Sequence, residues 1–489
     1  MSRIVNTKYG KIKGYERNNI VEYLGIPFAK PPVGELRFKR AVEVDSWNDI
    51  FDASHYGPCS LQMDNGKVIG SEDCLTLNIQ APLNGNNFPV LIWIHGGSYN
   101  TGSASGWLTD GLVFAKEGIC YVSIQYRLNV LGFYDFTTYK HCENFDSNCG
   151  LSDQILAIKW VHENIASFGG NPKNVTLMGE SAGGASVINL MSAPSVKGMF
   201  QKAIVQSGLP NCVISHKMAR ENIDLFIEGM GWTEDDLIKL KDIDTSELEK
   251  GNAYMVNKYQ YKNPGIFLLG PTQDDLLPDR PIDAITKGNA KGVKLLIGTN
   301  LNEGTMFVHP EKTELPNSWE MIETMFKLNG NEKFFPLIKE YYKKFNDTAL
   351  TEFATDYVFQ IPSIKVALSQ SLFEDVFIYK LEYISKTGKE NGMGASHAYE
   401  LPLVFKDTNF EFSKMVYGND PVEDVERISN EMFESWKNFI INDKPNGEAW
   451  PNFCNSSPII RIFDKNTVSK ILDKNKLMEL WKDLKFYEN

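Results

Sequence analysis

Short, unbroken apolar runs recur along this chain, and stretches with helical spacing separate them. Residues 90–94 read V-L-I-W-I, and similar runs lie at 119–126, 175–178, 203–206, 293–297 and 376–383. They are continuous rather than alternating. A strand that is apolar on both sides belongs in a sheet covered on both faces, so the pattern predicts parallel strands between helical layers. Residues 151–165 (L-S-D-Q-I-L-A-I-K-W-V-H-E-N-I) supply one such helix, with Leu156, Trp160 and Ile165 on roughly one face. Strand and helix alternate in the α/β manner, with a large, mostly parallel central sheet.

Two regions break the alternation. The first 40 residues hold short β-like runs, then Y-L-G-I-P-F-A-K-P-P-V-G, which predicts a small antiparallel lead-in and a proline-stiffened loop. Residues 212–290 and 310–375 are helix-rich and charged, as at 233–250 and 319–345, and are expected as helical insertions over the site. With no internal repeat or low-complexity linker to divide it, the chain 1–489 is expected to form a single domain.

Composition narrows the function classes. Hydrophobic residues make up 42% and charged residues 23%, which is ordinary for a globular protein. The net charge of −12 argues against a nucleic-acid partner, which needs a basic footprint. The opening M-S-R-I-V-N-T-K-Y-G has no apolar core and no cleavage site, so no secretory leader is expected and the cytoplasm is the default location. No apolar stretch approaches the roughly 20 residues of a membrane span. Among seven cysteines, Cys59 with Cys74 and Cys142 with Cys149 are close enough in sequence to pair, but a reducing compartment favours free thiols. No spacing suggests a metal site, and no metal or cofactor is expected.

The chemistry begins at Gly179-Glu180-Ser181-Ala182-Gly183. It follows an apolar run and opens a stretch of small residues able to form a helix, the setting of a nucleophile elbow. Such a turn is strained and tight, so the positions two before and two after the serine must be tiny. An alkoxide-forming serine also needs an oxyanion hole. One donor is the N–H of the next residue, Ala182, and others come from a glycine-rich loop after an earlier strand. Trp93-Ile94-His95-Gly96-Gly97-Ser98-Tyr99 is such a loop.

The serine needs a base, and the base an orienting carboxylate, in the chain order Ser, acid, His. His55, His95, His141 and His162 precede Ser181, His216 follows too soon, and His309 lies just beyond the best acid. His397 remains, in the loop G-M-G-A-S-H. For the acid, Glu303 follows the run L-L-I-G-T-N at 295–300, whereas the competitors Asp274 and Asp275 precede that strand.

Several long motifs in order resemble the type-B carboxylesterases of the α/β-hydrolase superfamily, the family that includes cholinesterases. They are Y-L-G-I-P-F-A-K-P-P-V-G-E-L-R-F (23–38), S-E-D-C-L-T-L-N (71–78), W-I-H-G-G (93–97), Q-Y-R-L-N-V-L-G-F (125–133), F-G-G-N-P-K-N-V-T-L-M-G-E-S-A-G-G-A-S-V (168–187), N-L-N-E-G (300–304) and S-H-A-Y-E-L-P-L-V-F (396–405). The match runs nearly end to end. It implies the α/β-hydrolase fold, with Ser181 as nucleophile, Glu303 as acid and His397 as base. It also implies Gly97, Ser98 and Ala182 as oxyanion donors, Ser98 standing where Gly or Ala is common. An Arg37–Glu72 ion pair is implied too. Asn171 stands where the motif commonly has Asp, so the ion pair that Asp would make with Arg127 is expected to be lost or reduced to a hydrogen bond.

The implied activity is two-step ester hydrolysis of a small-molecule ester, without metal or cofactor, by a monomer or weak dimer. A thioesterase or amidase using the same triad is the alternative, and a non-catalytic adhesion homologue a remoter one. Candidates for the pocket wall are Tyr99, Trp107, Phe267 and Phe307, with Leu268 and Met306 nearby; they favour neutral esters with short or aromatic groups. The segment between Cys59 and Cys74 has no aromatic residue on which a quaternary ammonium could stack, so poor choline-ester selectivity is expected.

Overall fold

The apolar runs become the middle of one 13-stranded sheet in the computed structural model, which describes residues 2–262, 264–265, 269–308, 315–407, 410–472 and 477–485. Strands β1 (Ser2–Asn6), β2 (Lys11–Arg17), β3 (Ile20–Pro27) and β4 (Ile50–Asp52) lead in, and β5 (Gln62–Asp64) pairs with β6 (Lys67–Ile69) in a hairpin of its own. Then come β7 (Thr76–Pro82), β8 (Phe88–Ile94), β9 (Cys120–Ile124), β10 (Gly170–Glu180), β11 (Lys202–Gln206), β12 (Lys294–Asn300), β13 (Val376–Leu381), β14 (Ile459–Phe463) and β15 (Val468–Ile471). Across the sheet the order is β1-β2-β3-β7-β9-β8-β10-β11-β12-β13-β14-β15, with β4 beside β2. Neighbours from β9 to β14 run parallel. β1, β2, β3, β7 and β9 pair antiparallel, as the short β-like runs predicted for the lead-in, β4 joins β2 in parallel, and the far edge is antiparallel.

Each central strand feeds two cores. Val90, Ile92 and Ile94 of β8 enter one, and Leu91 and Trp93 the other. Leu177 and Met178 of β10 divide the same way, as do Leu295 and Leu296 of β12. That two-sided burial is why the runs show no alternation. The long amphipathic helix Val422–Asn442 closes the second core with Phe433, Trp436 and Phe439.

The helix expected at 151–165 spans Cys149–Asn164, but it is buried almost all round rather than on one face. Its polar residues can be buried because they are bonded. Gln154 donates to Ser186 Oγ at 3.0 Å. Asp153 accepts from the backbone N–H of Arg127 (2.9 Å), its Nε (2.9 Å) and its Nη2 (2.6 Å). Arg127 thus makes no ion pair with position 171, as expected, and has Asp153 as its partner instead. Asn171 sits apart, its side chain accepting from the Lys173 N–H at 2.8 Å, so Arg127 keeps a complete buried ion pair.

The regions 212–290 and 310–375 are helix-rich where described, with helices His216–Met230, Thr245–Lys262, Trp319–Leu328, Phe335–Tyr342 and Ile361–Gln370 among them. Arg37 pairs with Glu72 at 2.6 Å, as the resemblance implied, and also donates to the carbonyls of Leu240 and Ile243. It thereby ties the first insertion to the N-terminal loops. The four cysteines close enough in sequence to pair, Cys59, Cys74, Cys142 and Cys149, are free thiols, as expected. Among the described residues no helix is long and apolar enough to cross a membrane.

Removing one partner of a buried ion pair strands the other charge. Asp153→Ala is therefore expected to lower stability by about 3–5 kcal/mol in urea unfolding, while Asn171→Asp stays within about 0.5 kcal/mol of wild type. Equal stability of Asp153→Ala and wild type would contradict the pairing.

Candidate active site

Parallel strands send their C-terminal ends to the same edge of the sheet, and the candidate residues gather there. The glycine loop follows β8, the serine turn β10, Ser207 β11, Glu303 β12, and the His397 loop lies beyond β13. Because β8, β10, β11, β12 and β13 are consecutive in the sheet, five distant segments become neighbours.

Ser181 lies between β10 and the helix Ala182–Ser192 with φ 55° and ψ −124°, a conformation that costs a non-glycine residue on the order of 1–3 kcal/mol. The need for tiny flanking residues is met literally. A Cβ on Gly179 would stand 2.4 Å from the carbonyl of Gly183, and one on Gly183 would stand 2.0 Å from the oxygen of Ile94. The elbow is therefore pressed against the end of β8. Gly96 of the next loop lies so close that its Cβ would meet Glu180 O at 2.7 Å and Ser181 Cβ at 3.1 Å. That brings the oxyanion candidates Gly97 and Ser98 into the same corner as Ser181 and Ala182. Gly97 (φ 105°) and Ser98 (φ 56°) both turn through positive φ.

Glu303 is fully buried, and both its oxygens are engaged. Oε1 accepts from Ser207 Oγ and from the Asn300 N–H, each at 2.6 Å, and Oε2 lies 2.6 Å from His397 Nδ1. The rejected acids are occupied elsewhere: Asp274 and Asp275 both pair with Arg40. Of the rejected histidines, His216 is exposed beside Asp135, and His309 lies outside the described residues.

The structure adds residues that the sequence reading missed. Phe359, on a π-helical turn Thr355–Gln360, sets its ring 4.9 Å from that of His397. Glu180 brings Oε1 to 3.1 Å from His397 Nε2, a charge contact on the side away from Glu303. Glu400 is fully buried and accepts from Gln206 (3.0 Å) and Asn300 (2.5 Å). The i+3 spacing of Glu400 from His397 was the available signal, and Glu180 was the variable letter inside G-x-S-x-G. Both were passed over because a glutamate is normally solvated.

The pocket candidates divide. Phe307 packs against His397 with ring centroids 5.0 Å apart, and Met306 precedes it, partly buried. Tyr99 is a core residue instead: its ring packs on Phe133 at 4.3 Å and its hydroxyl is bonded by Ser186. Trp107 opens a 3-10 turn, but its side chain lies outside the described residues, as do Phe267 and Leu268.

Burial pulls the His397 pKa down, but the carboxylates of Glu180 and Glu303 outweigh it and raise it to about 9. Burial raises the Glu180 carboxyl to about 8, with His397 working the other way. The two groups face each other across the 3.1 Å contact and titrate as a coupled pair.

Comparison with known proteins agrees with the geometry. The carboxylesterase family model matches residues 1–481. The para-nitrobenzyl esterase of Bacillus subtilis (strain 168) is 33% identical, over 98% of this chain and 98% of its own. A cholinesterase from Mus musculus is 30% identical, over 93% of this chain and 82% of its own. Among solved structures, a PNB esterase superposes with a TM-score of 0.87 at 32% identity, covering 98% of this chain and 100% of that one.

The charge contact makes a direct prediction. In Glu180→Gln the imidazole of His397 loses a carboxylate that favours its charged form, so its pKa falls by about 1 unit or more. Histidine Cε1 NMR titration reads this; an unchanged His397 pKa would contradict the contact.

Proposed function

Since this chain belongs to the carboxylesterase family and is a serine carboxylic-ester hydrolase, we propose that it cleaves neutral esters through an acyl-enzyme on Ser181. The observation that carries the proposal is the meeting of a strained serine elbow with the Glu303–His397 pair at one sheet edge. His397 holds its Nδ1 hydrogen toward Glu303, so Nε2, which Glu180 Oε1 approaches to 3.1 Å, is the nitrogen that takes the Ser181 proton as the hydroxyl attacks the ester carbonyl. The N–H groups of Gly97, Ser98 and Ala182 receive the developing oxyanion. His397 then gives its proton to the departing alcohol. Water enters, the same histidine activates it, and the acyl-enzyme is cleaved. Glu303, itself held by Ser207 and Asn300, orients the imidazole and stabilises its charged form.

The base must be neutral to work. Its raised pKa therefore implies activity that climbs with pH as His397 loses its proton. Phe307 and Phe359 flank His397 and give the reacting centre an apolar, aromatic side, which suits neutral short-chain or aromatic esters. The stretch where an aromatic would bind a quaternary ammonium is instead the small β5–β6 hairpin, which contains none. We place the protein in the cytoplasm, as one carboxylesterase domain with insertions at 212–290 and 310–375, a monomer or weak dimer.

A panel of para-nitrophenyl esters from acetate to long chains, with a thioester and an anilide beside them, tests the reading. Short and aromatic esters are expected to turn over fastest, and Ser181→Ala to fall by about 10⁶ in kcat. Near-wild-type turnover by that variant would refute the nucleophile. Acetylcholine and its neutral isostere are expected to share one kcat/KM; a strong preference for choline would count against the substrate assignment.

A further inference from the structure

We propose that His95 is a positioning residue for the oxyanion hole: its Nδ1–H holds the carbonyl oxygen of Gly96 and so aims the N–H of Gly97. The proposal rests on the reading of Ser181 and its oxyanion donors above. A peptide unit is planar, with its C=O and N–H pointing in opposite directions. Fixing the oxygen of one residue therefore fixes the direction of the next residue's N–H.

Each of the three donors belongs to a peptide whose oxygen is held. The Ser181 oxygen, behind the Ala182 N–H, accepts from the Ala185 N–H at 2.8 Å inside the helix. The Gly97 oxygen, behind the Ser98 N–H, accepts from the N–H groups of Asn100 and Thr101, each at 2.9 Å. The Gly96 oxygen, behind the Gly97 N–H, has His95 Nδ1 at 2.9 Å. The first two clamps are backbone. The third is a side chain, placed where the loop enters its run of positive φ at Gly97, Ser98 and Tyr99.

The surroundings make this clamp rigid. The His95 ring stacks on Tyr126 with centroids 4.4 Å apart and planes within 18°. Tyr126 Oη donates to the His95 oxygen at 2.7 Å, so the preceding peptide is fixed by the same tyrosine. Gly102 seals the bond from the other side: a Cβ there would stand 2.3 Å from Nδ1 and 2.4 Å from the Gly96 oxygen. Burial pushes the imidazole pKa down to about 4, so the ring is neutral and carries one N–H. A carbonyl can only accept, which assigns that hydrogen to Nδ1. Nε2 is then a buried acceptor, without a hydrogen-bond partner among the described residues. For packing alone an apolar ring would serve as well and strand no nitrogen. What histidine adds at this position is the Nδ1–H.

The test compares His95→Phe, which keeps the stack and loses the donor, with His95→Asn, whose amide can place an N–H near the Nδ1 position. Loss of a whole oxyanion donor costs about 10²–10³ in kcat. A misaimed Gly97 N–H is therefore expected to lower kcat for para-nitrophenyl acetate about 10- to 100-fold in His95→Phe, with KM nearly unchanged. Affinity for an alkyl trifluoromethyl ketone, which forms a tetrahedral adduct, falls by the same factor, and His95→Asn recovers most of both. Wild-type kcat in a folded His95→Phe overturns the proposal. So does an equal loss in both variants that tracks only a lower denaturation midpoint. If His95→Phe does not fold, the similar-sized pair His95→Asn and His95→Leu decides: equal kcat overturns the clamp, and an active Asn beside an impaired Leu supports it. Ser181→Ala separates this from the underlying reading. Turnover surviving in Ser181→Ala sinks the nucleophile, whereas an inactive Ser181→Ala beside an unimpaired His95→Phe sinks the clamp alone.

Discussion

Between the helix that follows Ser181 and the end of β8 there is no room for a Cβ. Gly183 lies against the Ile94 oxygen, Gly179 against Gly183, and Gly96 against Glu180 and Ser181. Three glycines thus bring two chain segments, some 85 residues apart in sequence, to backbone contact. The parallel register of β8 and β10, with Ile94 beside Gly179, delivers both segments to that point. The elbow and the glycine loop cannot move independently: a shift of one pushes backbone into backbone. A preorganised anion site needs this property, because donors that reorient during the reaction give back the free energy they supply.

The electrostatics build on that rigid corner. Four buried ionisable groups, Glu180, Glu303, His397 and Glu400, share the edge of the sheet. Their roles are separated by hydrogen bonding. Glu303 receives Ser207, Asn300 and His397, which fill both its oxygens. Glu400 receives two amides, Gln206 and Asn300. Glu180 lies against the imidazole, and burial raises its pKa to about 8. One histidine thus stands between two glutamates, Glu303 at Nδ1 and Glu180 at Nε2.

How much of this was legible beforehand follows from what each feature requires. Continuous apolar runs announce a doubly covered sheet because nothing else buries both faces of a strand. Ser181, Glu303 and His397 could be chosen because the elbow has a steric signature and the chain order is restrictive. Arg127 and Asp153 gave no such signal: they stand 26 residues apart, and only packing shows which carboxylate reaches which guanidinium. Glu180 and Glu400 were hidden for a related reason, since depth alone turns an ordinary glutamate into one whose proton matters. Tyr99 shows the converse. Its place beside the glycine loop suggested a pocket wall, but the loop's positive φ turns its ring into the core between Tyr126 and Phe133.

The proposed chemistry rests on the reactivity of one hydroxyl, that of Ser181. Incubation with diethyl para-nitrophenyl phosphate, followed by intact-mass and peptide analysis, measures it most directly. The expected result is one diethylphosphoryl group per chain, on the peptide that carries Ser181, with far slower labelling in Glu303→Gln. A label on any other residue, or none at all in an active preparation, would contradict the account.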